Sequence, residues 1–248
     1  MFPKLRPMNT VFKSYVYFKM SVKTLACRPS IKTAKYVLKF FPQWWQHLSP
    51  ERNSIKDKYP WLTFGAIEFI ENIVKPYMTV FEYGSGGSTL FWSQRVEKVF
   101  SIEHNKEWYD KMCAEFEKQK VSNVEYMWVE AENDPQYNSK NPLDPDSYLS
   151  TGLEFTGKKF ESYAKKINDV AVKSFDIIIV DGRARPSCIL QALDRVKQKG
   201  YLIIDNTDRT YYLSPFSLPE AQWKKWEFNG PVPYIHDFCQ TTIFQKLG

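Results

Sequence analysis

Three glycines within four positions follow an apolar segment at Gly84-Ser85-Gly86-Gly87. Residues 79–83 before the turn are mostly apolar or β-branched, and residues 90–92 continue a helical pattern, so strand, turn and helix are predicted in that order. Glycine lets such a turn approach a ligand closely, and the following helix begins with unpaired N–H groups. The turn is therefore a candidate cofactor cradle. Its candidate cofactor-binding residues are Glu82, Tyr83, Gly84, Ser85, Gly86, Ser88 and Thr89.

A carboxylate ends the next predicted strand, at residues 99–102. Glu103 stands nineteen residues after Gly84. An ionised carboxylate only accepts hydrogen bonds, and the two hydroxyls of a ribose supply donors, so an acid at this position suits nucleoside binding. We predict that Glu103 binds a ribose, and we assign its neighbour His104 to the same site.

Two further predicted strands also end in acids. Residues 175–180, the strongest predicted strand of the chain, precede Asp181. Residues 201–204 precede Asp205 and Asn206. Because ligands bind at the carboxyl ends of parallel strands, these side chains are expected beside the glycine turn. Two carboxylates and an amide oxygen suit Mg²⁺, and less specifically Mn²⁺ or Ca²⁺. The alternative is that the acids cap helices or pair with nearby arginines.

Predicted helices and strands alternate along most of the chain, which favours a parallel sheet with helices on both faces. The predicted fold class is α/β, a doubly wound, mostly parallel, Rossmann-like sheet. Residues 226–228 and 241–244 form two strands without an intervening helix, so they are expected to pair antiparallel at the sheet edge. Residues 1–59 are predicted as a basic, aromatic helical extension and linker, and residues 60–248 as the main domain. Residues 133–157 break the alternation and are either a substrate lid or a mobile surface insertion.

From about Pro60 to the C-terminus, the chain resembles the class I S-adenosylmethionine (SAM)-dependent methyltransferases. Residues 82–86 match their first motif, an acid followed by Gly-x-Gly, and Glu103 matches their ribose-binding acid. The antiparallel ending is also typical of that family. The sequence departs from the fuller motif at Ser88, where a third glycine is common. The resemblance implies that the turn packs on the methionine end of SAM and that Glu130 approaches the adenine.

The strand-end acids resemble, more specifically, those of metal-dependent O-methyltransferases of the catechol and caffeoyl type and of some sugar O-methyltransferases. That resemblance implies Mg²⁺ held by Asp181, Asp205 and Asn206, since a bound cation lowers the pKa of an acceptor hydroxyl and orients it. The predicted catalytic residues are Asp181, Asp205 and Asp208.

A proton acceptor is harder to assign from the sequence. The metal-dependent family often has a lysine shortly after the first strand-end acid, whereas this chain has Arg183 and Arg185. Arginine stays protonated and cannot act as a base, but it suits a phosphate or carboxylate on the acceptor. His104, His236 and Asp208 are the candidate bases.

Three functions compete. The first is O-methylation of a small-molecule or sugar hydroxyl with help from a divalent cation. The second is a non-catalytic SAM-fold binding or regulatory module, and the third is an NAD-dependent oxidoreductase. The dinucleotide pattern Gly-x-Gly-x-x-Gly ends here in Thr89, and the antiparallel ending also favours the methyl donor. The strand-end acids favour an enzyme, because a binding module would not need them.

Charge is distributed unevenly. Residues 1–50 hold nine Lys or Arg and no acid, so the remaining 198 residues carry a net charge of −3 against +6 for the whole chain. The main domain is therefore not basic, and nucleic acid is not expected as a partner. The N-terminal segment is predicted either as a helical cap with its lysines in water or as a contact for a membrane surface or an acidic partner, and a homodimer stays open.

Compartment is predicted from what the sequence lacks. No apolar run reaches membrane-spanning length, and the four cysteines show no zinc-site or disulfide spacing. We expect a cytoplasmic protein that is at most peripheral to a membrane.

Overall fold

A seven-stranded sheet forms the centre of the structure, a computed structural model that describes residues 10–248. Its order is β3-β2-β1-β6-β7-β9-β8, while β4 and β5 form a separate antiparallel pair. The strands are β1 (Thr79–Tyr83), β2 (Lys98–Glu103), β3 (Val124–Trp128), β4 (Glu132–Asn133), β5 (Lys158–Lys159), β6 (Phe175–Val180), β7 (Val196–Ile204), β8 (Trp223–Pro231) and β9 (Phe238–Lys246). The first three strands, β6 and β7 are mutually parallel, and β9 runs antiparallel between β7 and β8. This arrangement confirms the predicted mostly parallel α/β sheet and its antiparallel ending.

Helices cover both faces of the sheet. They are α1 (Thr10–Cys27), α2 (Ile31–Lys39), α3 (Phe41–His47), α4 (Ser54–Asp57), α5 (Phe64–Ile73), α6 (Gly87–Ser93), α7 (Lys106–Lys118), α8 (Glu161–Lys165) and α9 (Arg185–Ala192). Because side chains alternate along a strand, Phe81 and Tyr83 of β1 enter the core beneath α8 and α9, while Val80 enters the opposite core beneath α5 and α6. The central strands are therefore buried on both faces, as continuous apolar runs predict.

The N-terminal helices pack on the antiparallel edge. The ring centroid of Tyr17 in α1 lies 4.7 Å from that of Trp44 and 5.0 Å from that of Phe238. The Trp44 Nε1 donates a hydrogen bond to the Ile235 carbonyl over 3.1 Å. Within residues 10–248, no helix combines the length and the apolar character needed to cross a membrane.

The segment that the sequence predicts as a linker is packed into the domain. It contains α4, whose Ile55 is buried in a cluster with Leu90, Met112 and Phe116. The sequence predicts a linker here because this segment is mostly polar and a four-residue helix is too short to show an apolar period. Helix α4, near the end of the predicted extension of residues 1–59, therefore packs against α6 and α7 of the main domain.

Candidate active site

The glycine turn and the strand-end acids lie side by side. Strand β1 pairs with β6, and the Asp181 N–H donates to the Tyr83 carbonyl over 3.1 Å. Strand β6 pairs with β7, and the Asp205 N–H donates to the Val180 carbonyl over 3.2 Å. Gly84 has a φ of +90°, and a Cβ there would lie 2.9 Å from the Gly182 Cα, so this position requires glycine. Turn and acids thus form one continuous edge.

Glu103 is buried and ionised at the end of β2. Its Oε1 accepts the N–H groups of His104 (2.8 Å) and Asn105 (2.9 Å), and its Oε2 accepts the N–H (3.3 Å) and hydroxyl (3.1 Å) of Ser85. Burial pushes its pKa upward, but His104, Asn105 and Ser85 outweigh burial and hold the pKa below its usual value. The Ser85 hydroxyl occupies a position where a ribose hydroxyl could donate, and it has a second partner in the Tyr126 hydroxyl at 2.6 Å.

Glu82 is a fully buried carboxyl directly before the turn. Its Oε2 accepts hydrogen bonds from the Thr89 hydroxyl (2.5 Å) and the Ser101 hydroxyl (2.7 Å). Among the described residues, no hydrogen bond of acceptable geometry reaches Oε1. Burial raises the pKa of Glu82 to about 7, against the opposing effect of nearby hydroxyls. A buried acceptor without a partner suits a ligand that brings a donor or a positive charge.

The next two glycines differ in their surroundings. A Cβ added to Gly86 would meet only the Trp108 ring, at 3.7 Å. A Cβ added to Gly87 would lie 2.1 Å from the carbonyl oxygen of Ser54. Helix α4 therefore packs against the start of α6, while a methyl group at Gly86 would meet the Trp108 ring only at ordinary van der Waals distance.

This difference predicts opposite behaviour for two alanine variants. Gly87→Ala is expected to lower the free energy of unfolding by about 1–3 kcal/mol, because α4 must move away. Gly86→Ala is expected to change it by less than about 0.5 kcal/mol and to weaken SAM binding about tenfold or more, because the added methyl group would keep a ligand away from the backbone of the turn. Thermal unfolding and calorimetric titration of both variants check this. Normal SAM affinity in Gly86→Ala would contradict the cradle.

The raised pKa of Glu82 predicts a pH-dependent stability difference. Its folded pKa of about 7 lies above the usual 4.5, so the folded state holds this proton more tightly than the unfolded state. The resulting stability is fully present below pH 4.5 and is lost as the pH rises through 7, on the order of 3 kcal/mol in all. Glu82→Gln removes the titration, so the variant should gain stability relative to wild type between pH 4.5 and pH 8. Thermal melts across this range check it, and a constant difference would contradict it.

Arg185 bridges the ends of β6 and β7. Its Nη2 donates to the carboxylate (2.8 Å) and carbonyl (3.0 Å) of Asp181, its Nη1 to the Asp205 carbonyl (2.5 Å), and its Nε to the Gly182 carbonyl (3.1 Å). Burial would lower the pKa of Arg185, but Asp181, Tyr212 and Asp205 raise it, so the guanidinium stays charged. The alternative of an arginine pairing is thus what the structure shows for Asp181.

The strand-end acids have pKa values near neutrality. Burial raises the pKa of Asp181 to about 6, although Arg185 acts in the opposite direction. Burial and the charge of Asp181 raise the pKa of Asp205 to about 7. The Asp205 side chain is buried and accepts the Thr241 hydroxyl at 2.6 Å, whereas the Asp181 side chain is 29% exposed. Asp181 is therefore the more accessible of the two.

The structure does not support the predicted magnesium site. Within residues 10–248, no three His, Cys, Asp or Glu side chains are grouped so that they could hold a metal ion. A guanidinium already serves as the cation of Asp181, and the Asp205 carboxylate is turned to Thr241. Asn206 adopts a left-handed φ of 53° after β7. Asp208, the third predicted catalytic acid, is exposed and accepts the Gln240 N–H at 3.2 Å. The metal-binding role of Asp181, Asp205 and Asn206 therefore stays a prediction.

The other predicted cofactor residues occupy several environments. The Tyr83 and Thr89 side chains are fully buried, so they shape the turn from within the core. The His104 ring packs against Phe155, with centroids 5.3 Å apart. Glu130 is exposed after β3. Its assignment to an adenine stays a prediction, as do the ligand roles of the other residues.

Residues 133–157 fold over the same edge of the sheet. The Tyr148 carbonyl accepts the Phe160 N–H at 2.7 Å, and the Thr151 hydroxyl lies 3.1 Å from the Tyr211 hydroxyl. The segment contains three short 3₁₀ turns, Tyr137–Ser139, Pro145–Ser147 and Leu153–Phe155. It therefore lies where a substrate lid would lie.

A cleft opens between this loop and the start of α9. Its polar lining comes from Ser150, Thr151, Arg183, Arg185, Arg209 and Tyr211. Arg209 donates to the Tyr212 hydroxyl at 2.9 Å and forms no ion pair with any residue in 10–248. Arg183 is 41% exposed and lies 3.4 Å from a Glu154 oxygen. Arg183 and Arg185 are thus paired with acids, and among the described residues Arg209 is the lining cation that has no acidic partner.

Comparison with solved structures identifies the architecture. An O-methyltransferase from Bacillus cereus in complex with SAH is similar at a TM-score of 0.51 and 13% identity, over 93% of this chain and 99% of that one. The O-methyltransferase TomG from Streptomyces achromogenes, involved in tomaymycin synthesis and in complex with SAM, is similar at 0.51 and 12% identity, over 80% and 91%. No protein-family model and no curated protein matches the sequence. The chain has the class I methyltransferase fold.

The methyltransferase fold explains the strand order at the antiparallel edge. A dinucleotide-binding Rossmann sheet is parallel throughout, in the order 3-2-1-4-5-6. Here β9 inserts antiparallel between β7 and β8. The sheet therefore differs from that of the dinucleotide-dependent oxidoreductases.

Sequence reasoning missed two residues that build this site and gave a third, Arg185, only as one of several possible partners of the acids. The Ser54 carbonyl oxygen packs against Gly87, and the Trp108 Nε1 donates to the Ser85 carbonyl over 2.9 Å. Arg185 joins two strand ends through its hydrogen bonds. Only Arg185 gave a signal, since it stands four residues after a strand-end acid at the start of a helix.

Proposed function

We propose that the protein is a SAM-dependent methyltransferase that methylates a hydroxyl of a small molecule or sugar. The observation that carries the proposal is the contact between neighbouring strand ends. Glu103 is the last residue of β2, Gly84 follows β1, and Asp181 follows β6 directly beside Gly84. A donor at the turn and an acceptor at Asp181 would therefore meet at one edge of the sheet.

The residues around the turn fit SAM. An ionised Glu103 can accept ribose hydroxyls once the Ser85 hydroxyl turns to Tyr126. The Glu82 carboxyl directly before the turn and the glycine backbone at Gly86, which a ligand can approach closely, fit a ligand with a positively charged group. When bound, SAM supplies an electrophilic methyl group on a sulfonium.

Asp181 would act on the acceptor. Its partly exposed carboxylate, whose pKa is raised by burial to about 6, suits a general base that takes the hydroxyl proton as the acceptor oxygen attacks the methyl group. Arg185 holds this carboxylate through its Nη2 and fixes its orientation. Orientation matters because an in-line displacement depends mainly on the placement of the two reactants.

The charged cleft favours an acceptor with an anionic group. Arg209 lacks an acidic partner among the described residues, and Arg183 has a solvent-exposed ion pair with Glu154 that an anionic ligand could replace. Arginine forks bind phosphate and carboxylate groups in a fixed geometry. We therefore propose a phosphorylated or carboxylated hydroxyl compound, such as a nucleotide-linked sugar, as the acceptor class.

Ligand-induced stabilisation followed by a transfer assay tests the function. SAM and SAH should raise the melting temperature and NAD should not, and labelled methyl should pass from SAM to anionic acceptors of a hydroxyl panel. Stabilisation by NAD alone would favour the oxidoreductase. SAM binding without transfer to any acceptor would favour the binding module.

Metal removal should leave this activity intact. Because Arg185 supplies the positive charge at Asp181, we do not propose a divalent cation for the site. The rate of methyl transfer is expected to change less than about twofold after EDTA treatment. Removal of a catalytic metal would lower the rate far more, because such a metal supplies several kcal/mol of transition-state stabilisation. Loss of transfer with EDTA and its recovery with Mg²⁺ would contradict the assignment.

A further inference from the structure

Helix α1 has one face in the core and one in solvent. On the inner face, Tyr17 donates its hydroxyl to the Val37 carbonyl over 2.5 Å, and Ser21 is also buried. On the outer face, four apolar side chains are between 51% and 77% exposed. They are Val11, Tyr15, Phe18 and Val22. Their spacing of four, three and four residues places them in a single stripe along the helix, which we call the outer stripe.

The neighbouring helix α2 shows a similar combination. Ile31 and Leu38 are each 78% exposed, and the exposed Lys35 lies between them in the sequence. Large apolar side chains on two adjoining helices are unusual for a surface in contact only with water, and such patches mark interaction sites.

The positive charge beside the outer stripe favours an anionic partner. Lys19 and Lys23 flank the outer stripe, and together with Lys35 they form no ion pair with residues 10–248. Residues 1–50 hold nine basic residues and no acid, so a second copy of the same surface would be repelled. A helix with an apolar stripe beside unpaired lysines fits an anionic lipid surface, where the stripe enters the boundary between headgroups and acyl chains.

The position of α1 gives this surface a consequence. Tyr17 packs against Phe238 at the start of β9, and Trp44 of α3 binds the Ile235 carbonyl. Strand β9 is antiparallel to β7, with Thr242 opposite Ile204, so its first residues lie at the carboxyl edge of the sheet. The N-terminal helices are therefore fixed to the edge that carries the candidate active site.

We propose that α1 binds the surface of an anionic membrane through its outer stripe and Lys19 and Lys23. This binding holds the carboxyl edge of the sheet at the lipid surface. The proposal does not depend on methyl transfer, because it rests on the exposed faces and the charge of the N-terminal helices.

Vesicle co-sedimentation of the full chain tests the proposal. The protein should sediment with vesicles that contain phosphatidylserine in phosphatidylcholine and not with phosphatidylcholine alone, and added salt should weaken binding. Tyr15→Ser/Phe18→Ser and Lys19→Glu/Lys23→Glu should each reduce the partition coefficient about tenfold or more. The matched controls Tyr77→Ser/Leu153→Ser and Lys118→Glu/Lys173→Glu change exposed residues elsewhere and should bind as wild type.

Unchanged melting temperatures show that the variants are folded. No binding to phosphatidylserine vesicles would overturn the proposal. So would equal loss in the control variants. A dimer in light scattering that Tyr15→Ser/Phe18→Ser disrupts, without vesicle binding, would assign the outer stripe to a second copy instead.

Discussion

Replacing Arg185 by methionine is expected to lower the free energy of unfolding by about 3 kcal/mol and to abolish methyl transfer. Arg185 is 8% exposed, and its guanidinium donates four hydrogen bonds to the ends of β6 and β7. Methionine keeps the length of the side chain but leaves Asp181 and three carbonyl groups without their donor. Removing one partner of a buried ion pair typically costs about 3–5 kcal/mol. Chemical denaturation and the labelled-methyl assay measure the two effects.

Arg183→Met is the matched control. Arg183 lies in the same loop, is 41% exposed and meets Glu154 at 3.4 Å, so its loss should cost less than about 1 kcal/mol. Equal stability of the two variants would show that Arg185 does not hold the strand ends. Arg185→Lys should recover part of the stability, because an ammonium group keeps the charge but not the fork.

Replacing Glu103 and Asp181, one at a time, by the corresponding amides should separate donor binding from turnover. Glu103→Gln is expected to weaken SAH binding about tenfold to a hundredfold, because hydrogen bonds to a charged group contribute about 1.5–3 kcal/mol. Asp181→Asn is expected to leave SAH affinity within about threefold and to lower the turnover rate about 10²–10⁴-fold, as expected for loss of a general base. Calorimetric titration with SAH and the transfer assay give the two values.

Glu125→Gln serves as the control for Glu103, because Glu125 is an exposed acid on the neighbouring strand β3. It should bind SAH as wild type does. If Asp181→Asn weakened SAH binding as much as Glu103→Gln, the proposed division between donor and acceptor would be wrong.

The sheet and its ligand edge were predictable because local patterns determine them. The apolar run at residues 177–180 of β6 predicts a strand buried on both faces, and Asp181 after it marks the end. Parallel strands then place every such end on one edge, so Gly84, Asp181 and Asp205 come together without any knowledge of contacts.

The side chains that contact the strand-end residues were not predictable in the same way. Whether Asp181 holds a metal or an arginine depends on the path of one side chain, and Arg185 reaches the Asp205 carbonyl twenty residues away in sequence. The contact between Ser54 and Gly87 likewise joins segments whose own sequences carry no sign of each other. Such contacts arise from tertiary packing, which periodicity does not encode.

A crystal structure of the protein with SAH tests the central claim most directly. The account predicts electron density for SAH over Gly86, with a ribose hydroxyl within hydrogen-bonding distance of the Glu103 carboxylate and the sulfur facing Asp181. SAH bound away from the glycine turn, or with its ribose out of reach of Glu103, would contradict it.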